Sequence, residues 1–223
     1  MSTTVIIDEQ ELRNRIKSTA LKNITREESQ RAYDKWAPNY VQDLLQHGYS
    51  SHIAVCKTLC ENVPKDKRNC VRVLDVGAGT GLVAKKLRDE GFTNIDALDP
   101  SESMLNQAKK DNLYNQYIVK YITGSPLDIP ENSYDVITGS GIFVEEAHVP
   151  CEAIKEMIRL VKPGGTIVLI CRCNLIGPGD PYEKLPPLMA KMEKDKKWTL
   201  VSRSSWTRYY MNNDAIVWCY KVL

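Results

Sequence analysis

The sequence predicts an α/β fold: a doubly wound, mostly parallel sheet of about seven strands, with an N-terminal helical cap and a C-terminal antiparallel hairpin. Three features of the chain point there. From residue 71 onward, short runs rich in β-branched residues alternate with helical stretches, the pattern of βα units that build a parallel sheet covered on both faces. Before that point, apolar residues recur every three or four positions among charged ones. Beyond residue 171, two β-rich runs flank MNND, a sequence suited to a hairpin tip.

Residues 1–69 read as the cap. Tyr33, Trp36, Tyr40 and Leu44 fall at helical spacing, Pro38 marks a kink or boundary, and the charged, proline-led VPKDKRN closes the segment. Residues 70–171 read as the core. Strands are expected near 71–76, 94–98, 118–122, 133–138 and 165–171, and helices near 81–90, 102–110 and 150–161. Ser101 is the expected N-cap of the second of these helices, with Asp99 just ahead of it. At KPGG, Pro163 stops the third helix and the paired glycines permit the bend into the fifth strand. Residues 172–223 read as a substrate-side segment: a turn-rich loop, GPGDPYEKLPP, then a helix near 187–197, then WTLVSRSSW and AIVWCY as a hairpin on the sheet.

At 223 residues, a single domain with a sizeable core is expected. Hydrophobic residues at 43% and charged residues at 26% exclude a disordered chain. A formal charge of +2 is too small for a strong phosphate-directed field, so no nucleic-acid partner is expected. The longest apolar run, IVLIC, is far below membrane-spanning length, and MSTTVIIDEQ has no basic stretch leading into an apolar one; no membrane association and a cytoplasmic location are expected. The seven cysteines read as free thiols, and His47, His52 and His148 make no paired ligand spacing with them, so no metal site is expected.

VLDVGAGTGLV sets Gly77, Gly79 and Gly81 between a strand and a helix, where a glycine turn lets backbone approach a ligand without Cβ obstruction. A dinucleotide fingerprint requires glycine at position 82, which is Leu82, and this argues against a nicotinamide-dependent reductase. Asp75, two residues before the first glycine, puts a carboxylate where a diphosphate would be repelled; a zwitterionic or cationic cofactor fits better. Asp99 lies 18 residues past Gly81 at a strand end, the Rossmann-like position of an acid that accepts from two ribose hydroxyls.

Taken in order, VLDVGAGTG, LDPSESML, GSPLDIPENSYDVI and LVKPGGTIVL resemble successive motifs of the class I S-adenosylmethionine-dependent methyltransferases, over roughly residues 70–171. AYDKWAPNY, GLVAKKL and VPCEAI narrow the resemblance to a methyltransferase-like branch. The resemblance implies S-adenosyl-L-methionine as cofactor. It sets Asp75 and Gly77 near the cofactor's amino-acid end, with Ala78, Gly79 and Gly81 in the same turn, and Asp99 on the ribose. Pro100, Ser101 and Met104 would line one face of the adenine, although core packing explains Met104 equally well. Ser125 stands where many relatives have an aspartate for the adenine amino group; its oxygen and the backbone around Pro126 and Leu127 would have to supply that contact. Ser140 and Gly141 would meet the methionine part through their backbone, and Tyr33 and Trp36 would fold over the cofactor, unless helix packing alone explains the two rings.

A sulfonium methyl is already activated, so the protein has mainly to align a nucleophile and exclude water. If a proton must leave the acceptor, His148 is the candidate base; a solvated loop histidine is the alternative. Glu145 and Glu146 compete for that role or attract a cationic acceptor, while Arg172 and Asn174, at the carboxyl edge of the sheet, are placed to hold an acidic group. KMEKDKK reads as a solvated helix face. GSGIF stands where enzymes acting on amide or base nitrogens carry an Asn/Asp-Pro-Pro-aromatic signature, which favours a small-molecule acceptor. Direct in-line methyl transfer to such an acceptor is the expected function; the alternative is a cofactor-binding protein without turnover that acts through a protein partner. The sequence leaves the oligomeric state open.

Overall fold

Each central strand is buried on both faces, and this fixes where it lies. In β1 (Arg72–Val76) and β2 (Asn94–Leu98) every residue after the first is buried. The computed structural model describes residues 7–21, 23–144 and 148–223. Among them, β3 (Tyr117–Ile118), β4 (Tyr134–Gly139), β5 (Val161–Arg172), β6 (Trp198–Tyr210) and β7 (Asn213–Val222) complete a seven-stranded sheet of order β3-β2-β1-β4-β5-β7-β6. The pairs β3-β2, β2-β1, β1-β4 and β4-β5 are parallel; β5-β7 and β7-β6 are antiparallel. The doubly wound Rossmann-like sheet and its terminal hairpin are as expected.

Side chains alternate across the sheet, so β5 feeds two cores: Val168 and Ile170 join one, Ile167, Leu169 and Cys171 the other. The first core takes in α4 (Ser51–Asn62) and α5 (Leu82–Asp89), and the second takes in α7 (Ala153–Leu160) and α8 (Leu185–Lys194).

The cap holds α1 (Glu9–Thr19), α2 (Arg26–Trp36), α3 (Tyr40–Gln46) and α4. A capping box starts α2: Thr25 Oγ1 accepts the Glu28 amide, and Glu28 accepts the Thr25 amide in return. Three contacts seat this helix over the carboxyl ends of the strands. The Ser101 hydroxyl donates to Asp34 Oδ1 at 2.6 Å; the Tyr121 hydroxyl bonds Arg26 O and Gln30 Oε1 at 3.0 and 2.9 Å; Ser29 Oγ lies 3.2 Å from His148 Nε2. At the start of α4, the Ser50 amide donates to Tyr209 O at 3.0 Å, and the Trp206 indole donates to Ser50 Oγ at 2.9 Å. The hairpin thereby holds the cap.

Some boundaries differ from expectation. The third strand is two residues long instead of running to 122, because Lys120 turns back to bond Ile118 O and Tyr121 is taken up by α2. The fifth strand starts at Val161, and KPGG is a bulge within it: register with β4 jumps from Tyr134↔Val161 to Val136↔Thr166. There Gly164 has φ +81°, and a Cβ on Gly165 would lie 2.6 Å from Asp135 O. Asn213 and Asp214, expected in the hairpin tip, belong to β7; Met211 and Asn212 make the turn at φ +47° and +58°.

Candidate functional site

The turn after β1 takes its shape from three left-handed glycines, with φ of +64° at Gly77, +53° at Gly79 and +90° at Gly81. The amides of Gly77 and Ala78 reach across to Leu98 O at 2.8 and 3.2 Å, and the Gly79 amide reaches Asp99 Oδ2 at 2.8 Å. Asp99 Oδ1 accepts the Ser101 amide, also at 2.8 Å. One carboxylate thus ties the ends of β1 and β2 together while each oxygen keeps a further lone pair. Burial raises the Asp99 carboxyl to about 6, against the two backbone donors, which favour its ionised form. Ser101 caps α6 (Glu102–Lys110) by accepting the Met104 amide at 3.1 Å.

These residues wall a cavity of about 90 Å³. Of those singled out from sequence, Gly77, Gly79, Asp99, Pro100, Ser101 and Met104 line its sheet side, Tyr33 its cap side, and Ser140 and His148 the segment after β4. His148 meets the Tyr33 ring edge-on at 5.3 Å. A Cβ on Gly79 would meet nothing nearer than Gly77 O at 3.9 Å, so the turn leaves room for a ligand that lies against backbone. Among the described residues no group of three or more His, Cys, Asp or Glu could hold a metal ion, and no helix is long and apolar enough to cross a membrane.

Other expected site residues lie elsewhere. Asp75 sits behind the wall, 1% exposed, with its oxygens taken by the Tyr114 and Thr138 hydroxyls at 2.7 and 2.8 Å. It is a core carboxylate and does not face the cavity as an ammonium partner; burial raises it to about 7, against those two hydrogen bonds. Ala78 packs in the first core. Gly81 packs too, since a Cβ there would meet Leu113 Cδ1 at 2.4 Å. Trp36 turns away, its indole donating to Asp43 Oδ2 at 2.7 Å and its ring against Tyr40 at 4.7 Å. Ser125 and Pro126 are exposed, and the Leu127 amide is engaged by Glu156 at 2.8 Å, so this stretch does not line the cavity. Glu145 and Glu146 lie outside the described residues. Asn174 is exposed, whereas Arg172 lines a groove beyond the cavity.

Sequence reasoning missed Arg26, Ser29, Gln30 and Tyr121, all of which line the cavity. The first three share a face of α2 with Tyr33 by the i, i+3, i+4, i+7 rule. The helical period carries that signal, but this face is polar and so makes no apolar stripe.

Residues 73–165 match the methyltransferase domain family. Over that stretch, with its sheet order and its glycine turn facing Asp99, the chain is similar to the class I S-adenosylmethionine-dependent methyltransferases, whose cofactor is S-adenosylmethionine. It is similar to methyltransferase-like protein 27 of Homo sapiens, at 36% identity over 142 residues, covering 64% of this chain and 57% of the relative. It is also similar to the demethylmenaquinone methyltransferase of Renibacterium salmoninarum, at 36% identity over 100 residues, covering 44% of this chain and 40% of the relative. The chain therefore spans about half the length of these curated relatives. In fold it resembles an S-adenosylmethionine-dependent methyltransferase from Leishmania major, with a TM-score of 0.64 at 17% identity, covering 92% of this chain and 89% of that one.

Proposed function

We propose that the chain moves the methyl group of S-adenosylmethionine directly to a small-molecule acceptor. The observation that carries this reading is Asp99: a buried carboxylate, held by the Gly79 and Ser101 amides, with lone pairs left to accept two ribose hydroxyls. Pro100 and Met104 give the adenine an apolar face, with Tyr121 taking the part expected of the 125–127 stretch. The Gly79 turn, Ser140 and Gly141 take the amino-acid end through backbone. Tyr33 closes over the cofactor.

Bound S-adenosylmethionine supplies a methyl carbon on a sulfonium, activated without help from a nucleophilic side chain. The chain has to align the acceptor, exclude water and receive a proton where one leaves. His148, placed beside Ser29 Oγ, is the group for the last task. A cavity of about 90 Å³ is smaller than the roughly 300–1,000 Å³ usual for ligand pockets, so α2 and the sheet edge must part to admit the cofactor. The quinone methyltransferase among the relatives supports a small acceptor. The division into a cap at 1–69, a cofactor core at 70–171 and an acceptor-side segment at 172–223 belongs to the same proposal, as does a cytoplasmic location, supported by seven cysteines that all stand as free thiols.

The test is calorimetric titration with S-adenosylmethionine, S-adenosylhomocysteine and a nicotinamide dinucleotide in turn. Micromolar binding of the first two alone is expected; no binding of either overturns the reading. A methylated product detected by mass spectrometry in metabolite extracts separates turnover from binding that acts through a protein partner.

A further inference from the structure

A second void adjoins the cavity. Gly141, in left-handed backbone at φ +69°, walls both the cavity and a narrow aromatic neck on its far side. Tyrosines crowd that glycine: a Cβ on it would lie 2.5 Å from the Tyr49 hydroxyl oxygen and 3.7 Å from that of Tyr209. The Tyr49 ring meets Tyr209 edge-on at 5.5 Å and Tyr210 at 6.0 Å. Past Ile16, Val144, Arg172 and Tyr210 the neck opens into an outer groove of about 360 Å³. Cavity, neck and groove are thus neighbours that share walls, in that order from the proposed methyl donor outward.

Two polar groups stand where neck and groove meet. Arg172 is half-buried at the end of β5 and makes no ion pair among the described residues. The Tyr210 hydroxyl is buried with no hydrogen-bond partner among the described residues, in a side chain 5% exposed. Buried hydroxyls are nearly always partnered, and one left over beside an unpaired guanidinium marks a place for acceptor atoms brought by a ligand. Arg13 and Lys17 line the same groove, Arg13 being paired with Glu9.

We infer that this neck is the methyl-acceptor site and that its ligand is a planar, ring-bearing carboxylate. A flat ring lies against the tyrosine cluster at Gly141, and the carboxylate stays behind on the Arg172 guanidinium with the Tyr210 hydroxyl as a second donor. This rests on the methyltransferase reading above, since it presumes a methyl donor beside Ser140 and Gly141.

The test is calorimetry with the protein saturated by S-adenosylhomocysteine, which keeps the probe out of the cofactor cavity, using 2-naphthoate and its uncharged isostere 2-naphthamide. Naphthoate should bind at least tenfold more tightly than naphthamide. Arg172→Gln should erase that preference, and Tyr210→Phe should weaken naphthoate several-fold with an unchanged thermal midpoint. Equal binding of the two probes overturns the inference, as does a preference that survives Arg172→Gln. Should Arg172→Gln fail to fold, the wild-type comparison and Tyr210→Phe decide. If S-adenosylhomocysteine binds and naphthoate does not, this inference falls and the methyltransferase reading stands; if S-adenosylhomocysteine does not bind, both fall.

Discussion

The Ser101 hydroxyl donates to Asp34 Oδ1 at 2.6 Å while accepting the Met104 amide at 3.1 Å. One side chain thus caps α6 and fastens α2 to the end of β2, so the helix over the cavity and the carboxylate in it share an anchor. Asp34→Ala removes the fastening and keeps the cap. The loss of a partly exposed charge-assisted bond should cost about 1 kcal/mol, or roughly 2–4 °C in thermal midpoint. Amide exchange should quicken in residues 26–36 and stay unchanged in α5; equal quickening in both helices would show a general loosening instead.

Asp99→Asn keeps the volume and removes the charge. On the proposed function the ribose hydroxyls lose a carboxylate acceptor, a change of roughly 1.5–3 kcal/mol, so S-adenosylmethionine should bind about ten- to a hundredfold more weakly by calorimetry. Unaltered affinity would place the cofactor elsewhere.

Two glycines of one turn should fail differently. Gly79→Ala sends a Cβ into open space at φ +53° and should abolish cofactor binding at a stability cost of about 1–3 kcal/mol for the left-handed backbone. Gly81→Ala meets Leu113 at 2.4 Å in addition to its own strained φ of +90°, so its thermal midpoint should fall further. Paired melting curves and titrations of the two variants test that order.

Burial raises Asp75 to about 7 and Asp99 to about 6, while unfolded carboxyls titrate near 4. Between those values the native chain holds protons that the unfolded chain has released. Stability from these groups is therefore full below about pH 4 and is lost as pH rises to about 7. Asp75→Asn should flatten that fall in chemical denaturation curves and leave cofactor affinity unchanged. A drop in affinity would return Asp75 to the ligand.

The βα alternation, the glycine turn and Asp99 were legible because each is local: a strand, its turn and the next strand end lie within a few dozen residues. Asp75 was misread because its partners, Tyr114 and Thr138, are 39 and 63 positions away, and an acid beside glycines looks the same whether it faces a ligand or the core. The 125–127 stretch failed for a similar reason, as Glu156 engages it from 29 positions further on. Trp36 follows the helical period correctly, but on the face that meets Asp43. The polar face of α2 escaped notice because amphipathic patterns identify what packs, and a ligand wall need not be apolar.

The bond from Ser50 to Tyr209 imposes an order of assembly. On a ribosome adding about 5–20 residues per second, the cap emerges well before its partner, for Ser50 and Trp206 are 156 positions apart. Until β6 is made, α4 has no hairpin to hold it and the tyrosines beside Gly141 have nothing to close against. The nascent chain can build its glycine turn early, yet the aromatic neck is among the last parts to form. Mutations in the hairpin should therefore appear first as slow maturation of the outer groove.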